Sequence, residues 1–185
     1  VSPSTGKADF ALDGALCQRS LVTGRDAVTG AALEGTRLEQ SKRVQAGIRE
    51  VQLDGRLRGK PTIIVAGRED TLVPVNHAAR AYFAKTQSTG PADNVRYIEV
   101  TNAQHFDTFI AFGALLGYDS RYVPLHVYFN RAMDAMWAHL KTGAPLPQSQ
   151  VVRTLPRGTT ATGVPALTAA NVPPSSVHTT SCHGG

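Results

Sequence analysis

The stretch Thr62-Ile63-Ile64-Val65-Ala66 constrains the fold more than any other part of this 185-residue chain. It is an unbroken apolar, β-branched run between Lys60-Pro61 and Gly67, without the polar alternation of a strand that faces water on one side. Such a run reads as a strand buried on both faces, as in a parallel sheet. Val95 to Val100 reads as a second strand, after the turn chemistry of Ser88 to Asn94. Gly67 to Pro74 is a loop, and Asn76 is placed to cap a helix over 77–86. Helical spacing also runs through 31–52, 106–116 and 122–140, the last with Leu125, Tyr128, Phe129, Ala132, Met136 and Leu140 on one side. Alternating helices and strands predict an α/β architecture with a parallel sheet. Two strands leave both faces and both edges in need of cover, so the fold is expected to be incomplete on its own.

Composition divides the chain unevenly. All 14 acidic residues lie at or before Asp134, and six of the 11 prolines lie beyond Gly143. Residues 1–142 are therefore read as the packed α/β portion and 143–185 as a Pro/Gly/Thr-rich irregular tail, wrapped over the surface or loose. The chain opens on Val1, and its only methionines are Met133 and Met136, so a processed product or a fragment is expected. No stretch approaches the about 18 apolar residues of a spanning helix. The net charge of +5 is modest and dispersed, which gives no indication of nucleic-acid binding. Cys17 and Cys182 are too few for a disulfide-dense scaffold or a four-cysteine zinc site, and a single bridge between them is left open.

Side chains that do chemistry on a parallel sheet sit in loops leaving the carboxyl ends of its strands. One such loop carries Asp70, the other His105. A carboxylate and an imidazole leaving neighbouring strands at one rim can meet. Asp70 would then fix the tautomer of His105, whose other nitrogen would take a proton from a nucleophile. The order acid, then histidine, matches the α/β-hydrolase arrangement, in which a serine precedes both. No Gly-x-Ser-x-Gly occurs, and Ser20, the nearest candidate, lacks flanking glycines. The nucleophile is expected upstream of Val1.

Other residues carry plainer readings. Asp107 is a rival acid but is better placed to cap or open the helix that follows it. Phe106 and Phe109 could line an acyl pocket, with core packing the stronger expectation. Tyr122, Tyr128, Phe129 and Trp137 read as packing residues, and His77 as exposed. His126 and His139 are not at metal-pair spacing. His178, Cys182 and His183 are too loosely spaced for a metal tract.

Several long motifs add a resemblance. Asp13-Gly14-Ala15-Leu16-Cys17, Arg58 to Val65, Pro74-Val75-Asn76-His77, Ile98 to Phe106 and Gly117 to Tyr128 resemble the C-terminal portion of bacterial D-(-)-3-hydroxybutyrate oligomer hydrolases, from about Asp9 to Pro174. Ala66, where a His-Gly pair would be usual, and the ending from Ser175 to Gly185 depart from that pattern. The resemblance implies a longer α/β-hydrolase-type serine esterase that cleaves hydroxybutyrate oligomers to monomers. This chain would supply Asp70 and His105, the upstream part of the same enzyme would supply the serine, and no metal or organic cofactor would be needed. It implies a secreted or periplasmic enzyme, or in some members a cytoplasmic one. A related feruloyl esterase, a tannase-like enzyme or a serine peptidase shares the same acid–histidine logic. The alternative from another class is a non-catalytic α/β binding module.

Overall fold

The computed structural model describes residues 1–8, 11–90 and 94–175. The chain divides into two compact units, 1–53 and 54–185.

The first unit is a helical hairpin of α1 (Leu12–Thr23) and α2 (Gly35–Val51). Its interior is partly polar. Ser41 is 1% exposed and donates its hydroxyl to the Leu21 carbonyl at 2.6 Å. Ser20, 2% exposed, donates to Leu16 O and accepts from the Ala27 N–H. That hydroxyl, weighed above as a nucleophile, is occupied inside the hairpin. Helix α1 itself was not legible: it starts from Ala11 in the left-handed region with no side-chain cap.

The second unit is α/β. Strands β1 (Thr62–Gly67), β2 (Val95–Val100) and β3 (Gln150–Val152) form a sheet ordered β1-β2-β3, with both pairings parallel. Alternate residues of β1 serve opposite faces, as a strand covered on both sides requires. Ile63 and Val65 pack with Ile98, Val100, Val123 and Tyr128 beneath α6 (His126–Thr142). Ile64 and Ala66 pack with Tyr97, Val75 and Phe83 beneath α3 (Ala79–Thr89).

Two expectations are revised here. Helix α3 begins at Ala79 and has no side-chain cap; Asn76 instead accepts from Arg80 Nη1 at 2.7 Å. The stretch read as irregular contributes β3, which pairs with β2 from Ile98 to Val100. Beyond β3 the chain is strapped down by side-chain hydrogen bonds to the α/β layer. Tyr128 Oη and Arg131 Nη1 both donate to Pro173 O, and Arg157 Nε donates to Asp119 O. The sequence gives no cue to this strap, because its partners lie far away along the chain. Between β2 and α6 run a 3-10 helix (Asp107–Phe112) and two single-turn helices, α4 (Gly113–Leu116) and α5 (Tyr118–Arg121). Among the described residues, no helix is long and apolar enough to cross a membrane. Cys182, His178 and His183 lie outside the described residues; Cys17 is an exposed free thiol.

Candidate active site

The loops that leave β1 and β2 are zipped together. Arg68 N–H donates to Val100 O at 2.8 Å, and Glu69 N–H to Ala103 O at 3.0 Å. At the end of β1, Gly67 has no side chain to hold the two loops apart. The β2 loop is latched from its far side as well. Asn102 takes a left-handed φ of 54°, donates Nδ2 to Thr154 O and accepts from the Val123 N–H. Asparagine tolerates that region better than most residues.

This scaffold brings Asp70 and His105 together. His105 Nδ1 stands 2.8 Å from Asp70 Oδ2. An ionised carboxylate only accepts, so in this contact the ring donates from Nδ1 and Nε2 is the nitrogen left over for other chemistry. The other carboxylate oxygen, Oδ1, accepts the N–H groups of Leu72 and Val73 at 3.0 and 2.8 Å. Backbone satisfaction and the imidazole contact coexist, one on each oxygen. The Asp70 side chain is 12% exposed and that of His105 is 32%. The acid is thus screened while the ring remains reachable. Nε2 takes no hydrogen bond from the described residues, and the ring borders a cleft of about 360 Å³.

That cleft is walled by Phe106, Leu125, His126 and Phe129 along with His105. Phe106 meets the His105 ring edge-on at 4.4 Å and stands in a line of aromatic contacts that continues through Phe109 to Tyr118. Core packing was the stronger expectation for Phe106 and Phe109, yet they are 45% and 38% exposed. Phe129 and Trp137, also read as packing residues, are 48% and 64% exposed, whereas Tyr128 is buried. Asp107 opens the 3-10 helix that follows it, and its carboxylate also holds the start of α6. Its two oxygens accept the Leu125 and His126 N–H groups at 2.8 and 2.6 Å, which ties the His105 loop to the start of α6. His77 is exposed, and His139 binds Ala144 O at the end of α6. Among the described residues, no group of three or more His, Cys, Asp or Glu is placed to hold a metal ion.

Sequence reasoning missed Glu99. It is 1% exposed on the α3 face of β2 and is surrounded by donors. Arg68 Nε lies 2.5 Å from Oε1, Arg80 reaches both oxygens at 2.5 and 2.7 Å, and Tyr97 Oη donates to Oε2 at 2.8 Å. Burial pushes the carboxyl upward, but the hydrogen bonds from Arg80, Tyr97 and Arg68 prevail and hold it down to about 2. Burial, then the bond to Glu99, raises the Tyr97 phenol; the bond to Glu99 raises the Arg80 guanidinium. The available signal was a lone carboxylate between two β-branched residues, Ile98-Glu99-Val100.

Fold and site together define an α/β protein with a carboxylate–imidazole pair at the carboxyl rim of its parallel sheet. The chain belongs to the 3HB-oligomer hydrolase family, whose pattern matches residues 1–183. It is 55% identical over 175 residues to the D-(-)-3-hydroxybutyrate oligomer hydrolase of Paracidovorax citrulli, 49% over 179 residues to that of Cupriavidus pinatubonensis and 50% over 170 residues to one of Ralstonia pickettii. These alignments cover 94%, 95% and 92% of this chain but 23%, 23% and 21% of the relatives, so the chain spans less than a quarter of their length. No solved structure matches it.

Proposed function

We propose that these residues are the acid-and-histidine part of a serine-type carboxylic ester hydrolase acting on 3-hydroxybutyrate oligomers. The observation that carries the reading is the 2.8 Å contact of Asp70 with His105, with Nε2 left unbonded and the ring beside a cleft walled in part by Phe106, Leu125 and Phe129. The hydrolase names of the relatives support the substrate class. Asp70 orients the ring and stabilises the imidazolium. Nε2 accepts the hydroxyl proton as the serine oxygen bonds to the ester carbonyl carbon, then returns that proton to the leaving alcohol as the ester C–O bond breaks. Water attacks the acyl-enzyme in the same way, with His105 again accepting the proton and the serine regaining it. The serine and the N–H groups that stabilise the oxyanion come from the remainder of the longer polypeptide. The 185 residues by themselves are therefore expected not to turn over ester. Phe106, Leu125 and Phe129 offer an apolar wall to the methyl-bearing backbone of the oligomer. A secreted or periplasmic setting fits an enzyme fed by a polymer-cutting depolymerase; the cytoplasm is the other setting for this reading.

The test is turnover of hydroxybutyrate dimer by the full-length polypeptide carrying His105→Ala. The expected result is a loss of about 10³-fold or more in kcat. Near-normal turnover would refute the role given to His105.

A further inference from the structure

The ion cluster around Glu99 lies one strand-end away from the acid–histidine pair, and the reaction just described has no use for it. Its placement supplies one. Arg68 and Asp70 belong to the same short loop, whose backbone is pinned to the end of β2 at Arg68 N and to the His105 loop at Glu69 N. The Arg68 side chain is pinned separately, to Glu99 at the end of β2. Glu99 thereby grips the acid loop from the strand whose own continuation carries His105. Arg80 comes from α3 and takes the same carboxylate with a two-pronged guanidinium grip. Helix α3, the acid loop and β2 are joined at one buried side chain.

We propose that Glu99 is a positioning residue for the Asp70–His105 pair: through Arg68 it fixes the acid loop against the strand that leads to His105. This rests on the reading of that pair as catalytic. Neither Glu99 nor Arg68 touches substrate. A displacement of about 1 Å in the geometry of reacting groups can cost on the order of a hundredfold in rate, so a tie at this point acts on kcat rather than on substrate affinity.

The experiment uses the full-length polypeptide and hydroxybutyrate dimer, with kcat referred to the folded fraction measured by circular dichroism. Glu99→Gln is expected to lower kcat by about ten- to a hundredfold while KM stays within about twofold. Should that variant not accumulate folded, Arg68→Met decides, because Glu99 keeps Arg80 and Tyr97 as partners and the cluster stays neutralised. Arg68→Met is expected to show the same split between kcat and KM. Arg68→Lys is expected to recover most of the loss, since among the described residues the Arg68 side chain makes one hydrogen bond, to Glu99, which a point charge can replace. Wild-type kcat per folded molecule in Glu99→Gln or Arg68→Met would overturn the proposal. So would an Arg68→Lys variant no better than Arg68→Met. His105→Ala run alongside separates the two failures. If it stays active, the catalytic pair itself is misassigned; if it is dead while Arg68→Met is normal, only the positioning role falls.

Discussion

A β-carbon on Gly67 would stand 2.5 Å from the carbonyl oxygen of Ala103 and 2.8 Å from its carbonyl carbon. The two loops that carry Asp70 and His105 therefore meet backbone to backbone, and their spacing is set where a side chain is missing. Gly67→Ala is expected to push them apart, with a loss of about 1–3 kcal/mol in stability and about tenfold or more in kcat. Denaturant melts and turnover of the full-length enzyme check both. Unchanged activity would mean that the loops give way without disturbing the pair.

Thr154 and Thr101 meet three times: the Thr154 N–H donates to Thr101 Oγ1 at 2.9 Å, the Thr154 hydroxyl donates to Thr101 O, and the two hydroxyl oxygens lie 3.2 Å apart. Thr154 is 5% exposed. Thr154→Val removes the hydroxyl and leaves the Thr101 carbonyl short of a donor, at an expected cost of about 1–3 kcal/mol. Equilibrium unfolding in urea measures it, and a change under about 0.5 kcal/mol would place the latch among the neutral surface contacts.

Asp107 holds the start of α6 by two backbone N–H groups, and α6 carries the His126 and Phe129 wall of the cleft. Asp107→Ala is expected to destabilise by about 0.5–2 kcal/mol and to raise KM for the dimer more than it lowers kcat. A fall in kcat at constant KM would instead tie Asp107 to the acid–histidine chemistry.

Stability should depend on acid through Glu99. Its carboxyl, ordinarily at 4.5, is held at about 2 in the folded protein, so the folded state binds fewer protons than the unfolded chain between those values. The stabilisation is complete above pH about 4.5 and drains away as pH falls through about 2. Urea midpoints for wild type and Glu99→Gln should differ by a constant amount between about pH 5 and 7 and converge below pH 4.5. A gap that persists undiminished to pH 2 would contradict the depressed carboxyl.

Much of the layer that carries the site was legible because its signals are local. The β-branched run at 62–66, the strand at 95–100 and the apolar spacing after Tyr122 each announce themselves within a few residues. The two loop side chains follow from where those strands end. What escaped depends on distant partners. Strand β3 is three residues long in a proline-rich stretch and exists only because Ile98 to Val100 offer it an edge. Glu99 reads as an ordinary strand carboxylate until Arg68 and Arg80, from two other elements, close around it. Asp107 caps a helix on the far side of two single-turn helices, beyond the reach of any capping pattern. The exposure of Phe106, Phe109 and Trp137 is likewise a property of the assembled surface rather than of residue type.

Because β2 lies between β1 and β3, the strand leading to His105 is flanked by one neighbour that precedes it in the chain and one that follows. During synthesis the imidazole emerges from the ribosome well before the segment that completes its support. A nascent chain halted between them would carry both side chains of the pair yet lack the Thr154 clasp, and the edge of β2 that β3 covers would stand open until translation had passed that point.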